Sequence, residues 1–199
     1  MTVPCDYFAR LYAESADPWR FRERWYERRK RDLMLAALNR LRYASAFEPG
    51  CSVGELTAAL ATRCDTLLAS DIDLDACRHA RERVRAFSYV RVEQQVLPEQ
   101  WPKGSFDLIV ISELAYYFDE IELGILIGRT KEALVPGGTL LACHWRHPVD
   151  IHLQSANAVH ALFARRLGLR RLVHHEEPDF LLDAWSDEER SVAQLEGLA

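Results

Sequence analysis

A glycine-rich turn and an acidic residue further along the chain are the strongest chemical signals in the sequence. The turn reads Glu48-Pro49-Gly50-Cys51-Ser52-Val53-Gly54, and Asp71 ends the next apolar segment. Glycines let a backbone turn tightly and approach a ligand closely, and the following helix offers N–H groups to an anionic part of it. A carboxylate at the next strand end can accept hydrogen bonds from both hydroxyls of a ribose. We therefore predict a nucleotide-like ligand held by Glu48, Gly50, Cys51, Ser52, Gly54 and Asp71, with Ile72 covering its base.

The spacing of the turn separates two classes of nucleotide cofactor. A dinucleotide fingerprint is G-x-G-x-x-G, whereas here Ser52 stands at the middle glycine position and Glu55 at the last. The turn is similar to the first motif of class I methyltransferases, which bind S-adenosylmethionine, with serine replacing the middle glycine. The simpler alternative is an ordinary strand-to-helix turn with Asp71 as a helix cap, although Asp73 can fill that role instead.

The segment after the third predicted strand departs from the methyltransferase pattern. Such enzymes often have a carboxylate there that reads the adenine amino group, but this chain has Gln95-Val96-Leu97-Pro98. We therefore expect backbone groups of Val96 and Leu97 to contact the adenine.

Polar and aromatic side chains follow the most apolar strand pattern. Residues 106–118 read FDLIVISELAYYF, so Ser112 and Glu113 emerge at a strand end beside the expected cofactor. Glu113 can face the cofactor sulfonium or a substrate amine. Tyr116 and Tyr117 can line an acceptor pocket and favour a cation through their ring faces, or they can pack on the next helix.

Two histidines follow the next predicted strand, in Cys143-His144-Trp145-Arg146-His147-Pro148. An imidazole at this edge can take up a proton near neutral pH, so His144 and His147 are candidate catalytic residues. A metal site would need further ligands at suitable spacing, and we expect none. Cys51 lies inside the glycine turn with no histidine near it in sequence, so we interpret it as a small buried residue rather than a nucleophile.

The composition is typical of a soluble globular domain and does not indicate a nucleic-acid or membrane partner. The 199 residues are 49% hydrophobic and 28% charged, with a formal net charge of −5. The basic run Arg28-Arg29-Lys30-Arg31 stands among acidic residues and most simply forms a solvated helix face. No stretch reaches about 18 apolar residues, and the N-terminus lacks the apolar core of a secretory signal. Five cysteines without a C-x-x-C pair favour a reducing cytoplasm.

Alternating strand and helix patterns predict the architecture that positions these residues. The predicted strands are 44–48, 66–70, 89–93, 106–112, 139–144, 172–175 and 179–185, and the predicted helices are 21–41, 55–62, 74–86, 121–134 and 156–167. This order predicts one α/β domain over residues 1–199, doubly wound (Rossmann-like), with a mostly parallel seven-stranded sheet and a terminal antiparallel strand. Residues 1–20 are aromatic-rich and irregular in pattern, and we expect residues 1–41 to supply a lid and the first helix.

Six blocks of the chain resemble the nodulation protein S family. They are DPW at 17–19, WYERRKRDL at 25–33, FEPGCSVGELT at 47–57, FDLIVISELAYY at 106–117, PGGTLLACHWRHP at 136–148 and DFLLDAW at 179–185. The resemblance implies a class I S-adenosylmethionine-dependent N-methyltransferase, and named members of the family methylate the free amine of a de-N-acetylated glucosamine in a chitooligosaccharide. It further implies that Gly50, Ser52, Gly54 and Asp71 hold the cofactor, that Trp19 and Arg29 contact it from an N-terminal cover, and that Tyr117, His144 and His147 face the acceptor.

These observations together predict a methyltransferase that acts on a small-molecule amine. The reaction is an in-line displacement at the sulfonium methyl group, in which the protein mainly positions the reactants. The same glutamate and histidines are compatible with a hydroxyl acceptor, so O-methylation is an alternative. A nucleotide-binding protein of the same fold without methyl transfer is a second alternative, although Ser52 and Glu55 argue against a dinucleotide-dependent oxidoreductase.

Overall fold

The computed structural model describes residues 5–199, which form a seven-stranded sheet with helices on both faces. The strands are β1 (Tyr43–Pro49), β2 (Cys64–Asp71), β3 (Val90–Gln94), β4 (Phe106–Ser112), β5 (Leu134–Trp145), β6 (Arg170–Glu176) and β7 (Phe180–Ser186). The helices are α1 (Cys5–Glu14), α2 (Trp25–Ala36), α3 (Glu55–Ala61), α4 (Leu74–Arg83), α5 (Glu120–Ala133), α6 (Ala156–Arg166) and α7 (Val192–Leu195), with a short 3-10 turn at Ala115–Tyr117. None of these helices is long and apolar enough to cross a membrane.

The sheet order is β3-β2-β1-β4-β5-β7-β6. Strands β1 to β5 pair in parallel, and β7 runs antiparallel to both of its neighbours. The predicted mostly parallel sheet with a terminal antiparallel strand is therefore confirmed. Because the chain turns to one side after β1 and returns on the other side at β4, a crevice opens at the carboxyl ends of these two strands.

The central strand β4 shows how the sheet is buried on both faces. Ile109 and Ile111 belong to a cluster with residues of α5 and α6, whereas Leu108 and Val110 belong to a cluster with residues of α2 and α3. All four side chains are inaccessible to solvent, and burying each contributes about 1.5–3 kcal/mol. This burial on both faces explains the continuous apolar run of β4. It also sets the position of the residues that follow the strand.

The N-terminal segment differs from the sequence expectation. Residues 5–14 form α1 rather than an irregular stretch, because Phe8 and Tyr12 lie one helical turn apart and bury their rings on the same side. The predicted helix 21–41 is wrong at both ends, since α2 spans only Trp25–Ala36. At its start, the Asp17 carboxylate accepts the N–H groups of Phe21 and Arg22 and so forms a turn instead of a first helical turn.

Arg63 determines how the chain leaves α2. Its guanidinium donates to the carbonyl oxygens of Leu35, Arg40 and Leu41 at 3.1, 2.5 and 2.6 Å. The last carbonyls of a helix have no partner within the helix. Arg63, which directly precedes β2, supplies hydrogen-bond donors to carbonyls at the end of α2 and in the segment after it. The periodicity of residues 33–41 alone cannot reveal that contact.

Candidate active site

A cavity of about 370 Å³ lies at the carboxyl ends of β1, β2 and β4, with residues of α1 and α2 completing its wall. Helix α1 contacts the glycine turn directly, since the Tyr12 hydroxyl and Ser52 Oγ are 2.6 Å apart. The Phe8 ring meets the Tyr117 ring edge-on at 5.1 Å. The cavity therefore sits in the crevice that the strand order opens, and the N-terminal helix covers it.

The glycine turn adopts a backbone that most side chains disfavour. Gly50, Ser52 and Gly54 have φ values of 74°, 49° and 79°. A Cβ on Gly50 would lie 3.2 Å from Leu114, and one on Gly54 would lie 2.9 Å from the Ala80 backbone. Gly50 and Ser52 face the cavity, while Gly54 packs α3 against α4 and supports the turn from behind.

Asp71 is tied to the same turn. Its carboxylate accepts the N–H of Ser52 at 2.8 Å and that of Asp73 at 3.0 Å. Burial raises the pKa of Asp71 to about 6, against the lowering effect of these two N–H groups. Asp73, not Asp71, caps α4 by accepting the N–H of Ala76, so the capping alternative for Asp71 is excluded. The Asp71 carboxylate is left to face the cavity beside Ile72.

Three buried polar atoms at this end have no hydrogen-bond partner in the described part of the chain. They are Glu48 Oε2, Ser70 Oγ and Gln95 Oε1, and all three residues line the cavity. An unpaired buried polar group costs about 1–3 kcal/mol, so these atoms mark places where a ligand pairs. Burial raises the pKa of Glu48 to about 8, against the lowering effect of the nearby Thr57 hydroxyl, and an ammonium group beside it would favour its ionised form. These groups match the polar parts of S-adenosylmethionine. Its amino-acid ammonium suits Glu48, its ribose hydroxyls suit Asp71, and its adenine amino group suits Gln95.

A buried charge cluster occupies another part of the wall. Lys30 Nζ lies 2.7 Å from Glu113 Oε1 and 3.0 Å from Glu27 Oε2, and Lys30 is only 4% exposed. Two carboxylates around one ammonium leave a net negative charge when all three are ionised. The Tyr26 ring lies 5.1 Å from Lys30 Nζ and packs edge-on against Trp145, so aromatic rings flank this charge cluster.

Glu113 is held in one orientation by four contacts. Besides Lys30 on Oε1, its Oε2 accepts the Tyr116 hydroxyl at 2.6 Å and the N–H of Trp145 at 2.9 Å. Its backbone has a φ of 53°, and its N–H donates to the Cys143 carbonyl. Burial alone would raise the pKa of Glu113, but Lys30 and these donors hold it below its usual value. Glu113 is thus a fixed carboxylate with little affinity for a proton.

His144 is buried behind the cavity rather than in it. The Ala115 N–H donates to its Nε2 at 3.1 Å, which places the ring proton on Nδ1. That Nδ1–H donates to His160 Nε2 at 2.9 Å, and His160 in turn bonds Asp183 at 2.6 Å. Burial, then the neighbouring His160, lowers the pKa of His144 well below its usual value. The expectation that His144 faces the acceptor is corrected, because its Nε2 accepts from Ala115 and its Nδ1 bonds His160.

The structure brings most of the other sequence-predicted residues to the cavity. Trp19, Glu48, Gly50, Cys51, Ser52, Asp71, Ile72, Leu97, Ser112, Glu113 and Tyr117 line it. Burial raises the pKa of the Cys51 thiol well above its usual value, which agrees with a small buried residue and not with a nucleophile.

Three further predicted residues lie elsewhere, and the sequence-based placement is corrected for each. The Arg29 guanidinium forms two hydrogen bonds to Glu177, at 2.8 and 2.7 Å. The N–H of Val96 donates to the Gln100 side chain, so it is not available to an adenine. His147 is exposed and bonds Asp179 at 2.7 Å.

Sequence reasoning missed several polar residues that line the cavity, among them Glu27, Lys30, Ser70, Gln95 and His152. The i, i+3 spacing of Glu27 and Lys30 indicates a pair on one face of a helix, but the surrounding arginines make the whole segment look like a solvated surface. Within the described residues, no group of three or more His, Cys, Asp or Glu side chains is arranged to hold a metal ion.

This fold and this cavity define an S-adenosylmethionine-dependent methyltransferase. The sequence model of the family described as nodulation protein S (NodS) matches residues 8–176. The chain belongs to this family.

Sequence relatives support that membership. Nodulation protein S of Rhizobium tropici is 31% identical over 63% of this chain, and the alignment spans about half (53%) of that relative. Nodulation protein S of Bradyrhizobium diazoefficiens is 31% identical over 76% of this chain and 75% of its own length.

Two solved structures are similar over most of this chain. A putative methyltransferase from Pseudomonas syringae is 55% identical, with 82% of this chain and 99% of that chain covered and a TM-score of 0.74. The N-methyltransferase NodS from Bradyrhizobium japonicum, in complex with S-adenosylhomocysteine, is 25% identical, with 92% and 98% covered and a TM-score of 0.81.

Proposed function

We propose that this protein transfers a methyl group from S-adenosylmethionine to the free amine of a small molecule, with a de-N-acetylated glucosamine or chitooligosaccharide as the first candidate. The observation that carries the proposal is the net negative charge of the Glu27–Lys30–Glu113 cluster beside the rings of Tyr26 and Trp145. A cationic amine would neutralise that charge, and aromatic faces attract cations. A neutral hydroxyl would do neither. The similar Bradyrhizobium japonicum protein is named an N-methyltransferase, which supports the same acceptor class.

Cofactor binding is assigned to the residues around the glycine turn. They are Trp19, Glu48, Gly50, Cys51, Ser52, Asp71, Ile72, Leu97 and Ser112, with Gln95 added. The Asp71 carboxylate accepts the ribose hydroxyls, and Glu48 binds the ammonium of the methionine end. Gln95 Oε1 takes the adenine amino group that a carboxylate reads in many other methyltransferases, and Gly54 supports the turn without contacting the ligand.

The protein contributes position and electrostatics to the reaction. S-adenosylmethionine supplies an electrophilic methyl group on a sulfonium. Glu113, fixed by Lys30, Tyr116 and the Trp145 N–H, presents a preorganised negative charge toward the acceptor end. The aromatic residues of α1, Phe8 and Tyr12, exclude water from the reacting groups and so serve as the lid. Holding two reactants in line supplies up to about 7–11 kcal/mol in ideal cases.

A cytoplasmic location is part of the proposal. Cys51, Cys64, Cys77 and Cys143 are all buried as free thiols, which suits a reducing compartment. Localisation of a tagged chain by cell fractionation would test it, and recovery in an oxidising compartment would contradict it.

The proposal is tested by methyl transfer to matched acceptors. The protein is incubated with S-adenosylmethionine and a glucosamine trisaccharide that carries one free amine, or with the fully N-acetylated trisaccharide. We expect S-adenosylhomocysteine and one added methyl on nitrogen with the first acceptor, and no product with the second. Methylation of a hydroxyl on both acceptors would favour the O-methyltransferase alternative and contradict the proposal.

A charge-neutral variant tests the role of the cluster. Glu27→Gln keeps the side-chain shape and removes one carboxylate, so the cluster loses its excess negative charge. We expect KM for the amine to rise about tenfold or more, as for the loss of a charged hydrogen-bond partner, with cofactor affinity unchanged. Glu132→Gln on the exposed face of α5 is the matched control. Equal KM values for the two variants would contradict the assignment.

A further inference from the structure

The geometry points to His152 as the group that takes the proton from the acceptor ammonium before methyl transfer, an assignment that rests on the proposed N-methylation. His152 lies in the loop between β5 and α6 and lines the same cavity as Glu27 and Glu113. An amine must present a free lone pair to attack a methyl group, so a protonated acceptor needs a base within the site.

The position of His152 is built into the fold. Its ring stacks on Tyr116 with centroids 3.7 Å apart and an interplanar angle of 18°, and it meets Tyr117 edge-on at 5.1 Å. The N–H groups of Leu153 and Gln154 both donate to the Tyr116 carbonyl, at 2.8 and 3.2 Å. The loop is thus fastened to Tyr116 through both its backbone and the imidazole. No hydrogen bond engages the ring nitrogens of His152 within residues 5–199.

The other titratable groups near the acceptor end are poorer bases. Glu113 is saturated by donors that hold its pKa low. Burial raises the pKa of Tyr117, so its phenol stays protonated and acts as a donor. His144 has both ring nitrogens engaged. Burial raises the pKa of Glu27, but its carboxylate is paired with Lys30 at 3.0 Å, and protonating it would cancel the charge that attracts the amine.

The surroundings of His152 keep its imidazole uncharged near neutral pH. Burial lowers the pKa of His152, and only Glu113 opposes this effect. The titratable groups around the ring are Glu113, Tyr116 and Tyr117 from the segment after β4 and His144 from β5. His147 and Asp150 stand in the same loop, where His147 bonds Asp179. An uncharged imidazole can accept a proton from an ammonium, whereas its protonated form cannot.

Neutral His152 takes one proton from R–NH₃⁺ and becomes an imidazolium, leaving R–NH₂. The nitrogen lone pair forms the C–N bond while the C–S bond breaks with its electron pair moving to sulfur. The products are S-adenosylhomocysteine and R–NH₂–CH₃⁺, and the imidazolium then releases its proton to solvent.

Kinetics with the glucosamine trisaccharide test the assignment. His152→Asn should lower kcat/KM about 10²-fold near pH 7. The loss should shrink as pH rises, because the free amine becomes neutral without help. Imidazole added to His152→Ala should restore part of the rate, which a purely structural role does not predict. His79→Asn on α4, away from the cavity, is the matched control.

The outcomes separate this assignment from the proposed function. If the wild-type protein methylates no amine, the proposed function fails and the assignment falls with it. If it does but His152→Asn follows His79→Asn at every pH, only the assignment is overturned. It is also overturned if Glu27→Gln removes the pH dependence and His152→Asn keeps it.

A chemical probe gives an answer without turnover. Diethyl pyrocarbonate acylates uncharged imidazoles, and peptide mass spectrometry locates the modified residue in the S-adenosylhomocysteine complex. We expect His152 to react, and glucosamine to protect it. An unreactive His152 would overturn the assignment, because the ring would then be inaccessible from the cavity.

Discussion

Replacing Lys30 by methionine isolates the electrostatic contribution of the buried cluster, because methionine keeps most of the apolar stem and removes the ammonium. In the wild-type protein Nζ is shared by Glu113 at 2.7 Å and Glu27 at 3.0 Å. Lys30→Met leaves two buried carboxylates facing each other without a cation. Breaking a buried ion pair in this way typically costs about 3–5 kcal/mol.

That cost is a large share of the stability of an ordinary domain, about 5–15 kcal/mol. For a chain of this size each kcal/mol lowers the melting temperature by about 2–4 °C, so Lys30→Met should melt about 6–20 °C below wild type at pH 7. Lys131→Met makes the same change on the exposed side of α5 and should stay within about 0.5 kcal/mol of wild type. Urea unfolding gives the free-energy difference directly.

The pH dependence identifies the cause of the loss. In wild type the pKa of Glu113 is lowered, so its contribution is present above its unfolded value of about 4.3 and is lost as the pH falls below it. In Lys30→Met the two carboxylates lose their cation, their pKa values rise, and the folded variant binds more protons than the unfolded chain. Its stability therefore increases from pH 7 to pH 5, and the gap to wild type narrows. A gap no larger than that of Lys131→Met at pH 7, or one that does not change with pH, would refute the reasoning.

Three further predictions concern the cofactor end and the turn. Affinity for S-adenosylhomocysteine, measured by titration calorimetry, should fall as the pH falls through about 6, where Asp71 takes up a proton. Asp71→Asn should bind S-adenosylhomocysteine about tenfold more weakly and lose that pH dependence. If the variant retained the pH dependence, another group would be its cause. Gly54→Ala should destabilise the protein by about 2 kcal/mol or more, because of the φ of 79° at this position and the 2.9 Å approach to Ala80. Gly128→Ala, in open space on α5, should stabilise the protein by about 0.5–1 kcal/mol. Thermal unfolding compares the two variants, and equal effects would contradict the steric explanation. S-adenosylhomocysteine should slow tryptic cleavage at Arg10 in α1, and unchanged cleavage would show that this helix is not a lid.

The strand pattern of this sequence was sufficient to predict the sheet. Apolar runs such as 106–112 are buried on both faces, and each predicted strand is present with ends shifted by a few residues. The N-terminal region was predicted poorly because its structure depends on tertiary contacts. The Phe8 and Tyr12 rings need the cavity wall to pack against, and the end of α2 depends on Arg63, which is distant in sequence.

The cofactor end of the site was easier to predict than the acceptor end. Gly50, Ser52 and Asp71 belong to a local pattern whose chemistry follows from strand ends and a tight turn. Gln95 does not match the carboxylate that many methyltransferases have at this position, although an amide oxygen can accept the same hydrogen bond. His152 lies in an irregular loop, and only its stacking on Tyr116 places it in the cavity.

The basic run 28–31 shows why charge composition alone cannot assign such residues. Four consecutive cations suggest a solvated helix face. Successive residues of a helix, however, point about 100° apart, so the four side chains lie in different environments. Arg28 is exposed, Arg29 pairs with Glu177, Arg31 lines the cavity and donates to the Phe21 carbonyl, and Lys30 lines the cavity buried between Glu27 and Glu113. Glu27, one turn before Lys30, points the same way. The feature that identifies the cluster is therefore this i, i+3 pair of opposite charges on the inward face of α2. Glu113, which follows β4 and is distant in sequence, supplies the second carboxylate.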